Sequence, residues 1–223
     1  MWPFRSRPKQ IIDNDLWAWI QEHYDWVMTN RPDWWDKARL ITPSRHHFRA
    51  TRGTDQFMAE AVLADICTLT GQPNIFLLAP LAELPDELAH EYGKMSEVAG
   101  TYLHDDAQPV IQYSPRGLRR PVSFINTMAH EVMHARLAPY ADALPGGYKM
   151  HELATDLHCI IAGFGAIQMT AAEESGWAGY MTQPARAVAL AEFLHHKGLA
   201  PDSANPWLPL RSQTWLKKAQ RDL

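Results

Sequence analysis

The stretch TMAHEVMHARL, residues 127–137, carries His130 and His134 four positions apart, with Glu131 directly after the first. In a helix, positions i and i+4 lie on one face about one turn apart, so both imidazoles can grip a single ion. Zinc favours nitrogen and oxygen donors in a tetrahedral arrangement, and three protein ligands plus a water is the usual catalytic plan. Glu131 sits about 100° further around the helix, where it can take a proton from that water and pass it to a leaving amine. One turn thus supplies two ligands and a general base. The chain has 11 histidines, so a coincidental match in an ordinary helix is the competing reading. Against coincidence, Phe124, Ile125, Met128, Val132 and Leu137 give this helix a buried side. Two unpaired histidines there would be costly, and metal ligation would satisfy them. The adjacent pairs His46–His47 and His195–His196 lack the geometry and read as surface or loop residues.

A third ligand is expected in MHELATDLHCIIAGFG, residues 150–165. Glu152 and Asp156 are again four apart on a predicted helix, so their carboxylates share a face. Such a pair has a specific use at zinc: one carboxylate binds the metal and the other orients a ligand histidine through its free ring N–H. Glu152 is assigned as the ligand and Asp156 as the residue behind a histidine. A solvated acidic face is the alternative, but Leu153, Leu157, Ile160, Ile161 and Phe164 make this helix strongly apolar, which favours paired carboxylates. His151 and His158 fall on a different face, and both read as surface. His151 stays open as a rival third ligand if the helix begins later. Cys159 reads as a buried small residue, and Gly163 and Gly165 could let another helix or backbone approach closely.

HEVMH followed by ELATD, with 17 residues between His134 and Glu152, resembles the gluzincin pattern of zinc metallopeptidases, HExxH with a downstream ExxxD. The chain is similar in particular to a group of bacterial zincin-like proteins. The features shared with them are AGTY (99–102), the TDL…GFG helix and a GYM…ALAEF segment (179–193). The resemblance spans about residues 54–200 and implies one zinc on His130, His134 and Glu152. It also implies Glu131 as general base and Asp156 behind a ligand. A transition-state stabiliser is expected downstream, with Tyr148, His151, His158 and Tyr180 as unranked candidates.

Several elements must position these residues. Asp13 can cap a helix running to about Thr29, in which Trp17, Ile20, Tyr24 and Val27 recur at helical spacing. Trp19, Trp26 and PDWWDK add a heavy tryptophan load that reads as packing, or else as a surface for a protein partner. A second helix is expected over 54–70, closed by Gly71 with Pro73 behind it. Strands are expected at 74–80, 97–104 and 109–114. The motif helix should start near Pro121, and further helices are predicted over about 150–172 and 184–197. The pattern is α+β: a small sheet beside a mainly helical bundle, a zincin-like minimal metallopeptidase domain over 51–223 behind a Trp-rich helical extension at 1–50. AGTYLHDD and PVIQYS could present an edge to which an extended peptide adds as a strand, or form an ordinary hairpin.

Bulk properties narrow the partners. A net charge of −4 and a sequence pI near 6.2 give no electrostatic reason to expect nucleic acid, and RGLRR at 116–120 reads as solvated surface. Two cysteines, Cys67 and Cys159, make no disulfide framework. The basic start is not followed by an apolar run, and no stretch reaches the roughly 20 apolar residues that span a bilayer. A cytoplasmic zinc metallopeptidase acting on a peptide or protein substrate is therefore expected. The alternative is a regulatory or peptide-binding protein that keeps the zinc without hydrolysis.

Overall fold

Asp13 opens the first helix as its side-chain chemistry predicts, its carboxylate accepting the Leu16 N–H at 2.8 Å. The computed structural model describes residues 10–50, 53–81, 100–103, 109–176 and 179–223. Helix α1 spans Asn14–Asn30, and a short α2, Pro32–Lys37, follows with proline at its first position. Helix α3, Gln56–Thr70, is capped by Asp55 and stopped by Gly71, whose φ of 70° places it in the left-handed region.

Three short strands follow: β1 Leu77–Pro80, β2 Gly100–Leu103 and β3 Val110–Tyr113. Their order is β1-β3-β2, with β1 parallel and β2 antiparallel to the central β3. Each expected strand is therefore present, with β1 and β3 shorter than expected. Residues 97–99 and 104–106 of the expected edge lie outside the described residues. RGLRR falls largely in a 3-10 turn, Pro115–Arg119, that feeds the motif helix α4, Pro121–Leu137. Helix α4 packs against β2, which among the described residues is an edge strand, so the motif helix lies beside that edge.

The single long helix expected over 150–172 is broken. Helix α5, His151–Cys159, passes through a π-helical turn, Ile160–Phe164, into α6, Gly165–Glu174. The kink sits at Gly163, with φ 107° and ψ 0°. A Cβ there would stand 1.9 Å from the Arg39 carbonyl oxygen, and the Gly163 carbonyl accepts the Ile41 N–H at 2.9 Å. Gly165 similarly admits Leu190, so both glycines allow the close approaches expected of them. Helices α7, Gln183–His196, and α8, Leu210–Asp222, complete the chain.

Two cores form. One joins α3 and the sheet to α4 through Ile66, Ile111, Met128 and Val132. The other joins α1, α5, α6, α7 and α8 through Ile20, Tyr24, Leu157, Val188 and Leu216. The described part of residues 1–50 supplies both: Ile41 and Phe48 to the first, Ile20, Tyr24, Val27 and Ala38 to the second. Trp19, Trp26, Trp34 and Trp35 pack against these cores. Their rings meet Tyr140, His23 and Phe193, which is the packing use of the tryptophan load. The architecture is α+β, and no described helix is long and apolar enough to cross a membrane.

Candidate metal centre

Helices α4 and α5 pack on each other and bring the two spaced pairs together. The Nε2 atoms of His130 and His134 stand 2.9 Å apart. Glu152 Oε2 lies 3.4 Å from the first and 3.3 Å from the second. Donors about 2.0–2.1 Å from a tetrahedral zinc stand roughly 3.3 Å from one another, so this triangle matches the ion closely. Among the described residues, His130, His134 and Glu152 are the one group of histidine, cysteine or carboxylate side chains whose ligand atoms converge in this way.

The outer contacts decide which nitrogens face the triangle. Asp156 Oδ1 sits 3.0 Å from His130 Nδ1, and a carboxylate can only accept, so Nδ1 carries a hydrogen and Nε2 is the nitrogen left for a metal. Asp156 is itself anchored. Its Oδ2 accepts the N–H groups of Tyr180 at 2.8 Å and Met181 at 3.1 Å, with Arg186 Nη2 3.6 Å away. Gly179 makes this possible: its φ is 106°, and a Cβ would fall 2.2 Å from the Arg186 guanidinium. Burial works against the Asp156 charge, but the His130 hydrogen bond and the neighbouring cations outweigh it and hold the carboxyl below its ordinary pKa.

His134 is served by a different residue. His151 Nε2 lies 3.1 Å from His134 Nδ1, and Thr155 Oγ1 lies 3.4 Å from the same nitrogen. The Thr155 hydroxyl donates to the His151 carbonyl at 2.8 Å, so its oxygen is left to accept. With a hydrogen on Nδ1, His134 presents a bare Nε2 to the triangle, matching His130. His151 is thus neither third ligand nor surface residue.

Without metal the three groups share charge unequally. Burial opposes the His130 imidazolium, yet hydrogen bonds to Asp156 and Glu152 raise its pKa to about 9. Burial and the adjacent His130 charge push His134 down. The Glu152 carboxyl is lowered, first by its hydrogen bond to His130. A cation at this triangle is favoured electrostatically whether it is a proton or a metal.

No family model, curated protein or solved structure matches the chain. What the site can do therefore rests on its own chemistry. Glu131 is 5% exposed on α4, and its charge reaches both His130 and Tyr180. Tyr180 stacks on His130 with ring centroids 6.1 Å apart and planes at 12°, and burial together with the nearby Glu152 and Asp156 carboxylates raises the pKa of its phenol. Tyr148 is 71% exposed and stacks on His151 at 5.8 Å. His158, expected at the surface, is buried instead, with its Nε2 2.9 Å from His23 Nδ1 of α1. Sequence spacing had no access to that contact, because its two partners are 135 positions apart.

Proposed function

We propose that the chain is a zinc-dependent metallopeptidase of the gluzincin type, built as a zincin-like domain and hydrolysing peptide bonds. The observation that carries this is the Nε2–Nε2–Oε2 triangle of His130, His134 and Glu152, with His130 fixed from behind by Asp156. Bound there, zinc would polarise a peptide carbonyl and make a water acidic enough to attack at neutral pH. The Glu131 carboxylate accepts a proton from the attacking water and returns it to the nitrogen of the leaving amine. Tyr180 is the best-placed donor to the oxygen of the attacked carbonyl, because its ring stacks on His130 and its phenol feels the Glu152 carboxylate of the triangle. His158 is withdrawn from that role by its burial against His23. The edge of β2 beside α4, unpaired among the described residues, gives an extended peptide a place to add as a strand. Two buried thiols that remain free suit a reducing compartment, which supports a cytoplasmic setting.

Purified protein should carry about one zinc per chain, as a three-ligand site requires. Glu152→Ala should strip most of it, measured by elemental analysis after mild chelation. Glu131→Gln should keep the metal and lose cleavage of a peptide library. A native protein with no tight zinc affinity would remove the metal reading. Zinc binding with an uncut library in both wild type and Glu131→Gln would point instead to a zinc-containing regulatory or peptide-binding protein.

A further inference from the structure

Away from the metal centre, α1 and α7 pack side by side and leave a cavity of about 350 Å³ between them. Helix α1 lines it with Trp17, Gln21 and Asp25, which repeat every four residues along one face. Helix α7 lines it with Glu192, His195 and His196. Its volume lies in the range of small-molecule sites.

Glu192 is only 3% exposed, yet its contacts are long. Gln21 Nε2 donates to one carboxylate oxygen at 3.4 Å, and His196 Nε2 lies 3.7 Å from the other. Among the described residues, no side chain meets this carboxylate at ordinary hydrogen-bond length. A buried carboxylate held so loosely costs free energy that a cation in contact would offset. Among the described residues, no lysine or arginine lines the cavity, and the second carboxylate, Asp25, adds charge of the same sign. The carboxylates and imidazoles here do not converge on a common point as the metal ligands do, which disfavours a bare metal ion. An indole in the wall suits the face of an organic cation.

We propose that this cavity binds a small organic cation through its ammonium or guanidinium group, with Glu192 as the buried anchor and Asp25 as the outer one. The site is separate from the metal triangle and does not depend on the peptidase reading. Filled, it would add a cation to the long Gln21 and His196 contacts of Glu192 and tie α1 to α7.

Agmatine, which carries both an ammonium and a guanidinium, is the probe, titrated calorimetrically into the full chain at fixed ionic strength. Saturable binding to a single site is expected, with no heat from uncharged 1,4-butanediol. Glu192→Gln should weaken agmatine by about tenfold or more, the scale of a lost buried charge pair. Asp25→Asn, at an exposed position, should weaken it a few-fold, roughly the worth of a solvated pair. The second variant keeps the test valid if the first fails to fold. Absent saturation in wild type, unchanged affinity in Asp25→Asn, or unchanged affinity in a folded Glu192→Gln would each overturn the proposal.

Discussion

With its Nδ1 hydrogen committed to Asp156, His130 has only Nε2 to offer a metal at the triangle, and that commitment is made by a residue outside the ligand set. Outer partners of this kind typically govern metal affinity by 10- to 100-fold. Asp156→Ala should therefore lower zinc affinity by roughly that factor, read by competition with a chromogenic chelator. His151→Phe should lower it by less, because Thr155 still offers His134 an acceptor. Equal affinity in wild type and Asp156→Ala would show that His130 needs no orienting partner. His130, His134, Glu152 and Asp156 were legible in the sequence because i, i+4 spacing fixes which side chains share a helical face. His151 was not: a single helical wheel turns it away from Glu152. It meets His134 only because the first turn of α5 lies against α4, and a wheel for one helix does not contain its crossing with another.

Among the elements, the caps and stops were readable because they are local chemistry, as with Asp13, Asp55 and Gly71. The break between α5 and α6 was not, since an apolar run carrying two glycines is compatible with a straight helix. Its cause is non-local: the backbone at 39–41 enters the turn and bonds to Gly163. Helix α8 also escaped notice, because Ser212, Leu216 and Ala219 are its only buried positions in a polar segment. Gly163→Ala should cost about 2–5 kcal/mol, combining left-handed strain with the steric conflict at Arg39. Chemical denaturation would measure it, and a loss below about 0.5 kcal/mol, the scale of a neutral surface change, would mean the contact yields readily. Because α5 begins with the metal-site residues, the same substitution should also loosen zinc binding.

Across the whole molecule, α1 is held to α5 by a buried pair of histidines. His23 Nε2 faces the Pro145 carbonyl at 3.2 Å, so it carries the hydrogen, and His23 Nδ1 is left to accept from His158 Nε2. Both rings are neutral in this arrangement. Burial lowers the His23 pKa from 6.5 to about 4 and drives His158 well below its ordinary value. A depressed histidine pKa means the unfolded chain binds protons first. Stability is therefore full above about pH 6.5 and declines as pH falls toward 4. The loss from His23 alone is on the order of 3 kcal/mol. Urea midpoints taken between pH 7 and pH 4.5 should fall in wild type and fall less steeply in His23→Gln. A flat wild-type profile would contradict the neutral pair.

The aromatic rings around this pair give the protonation an optical signal. Trp19 meets His23 edge-on with centroids 4.3 Å apart, and Trp26 stands 6.1 Å from His158. An imidazolium quenches indole emission by accepting an electron from the excited ring, whereas a neutral imidazole does so weakly. Ultraviolet fluorescence from these two tryptophans should therefore dim as the histidines gain charge, so the intact polypeptide reports the acid opening of its own interior without an added dye.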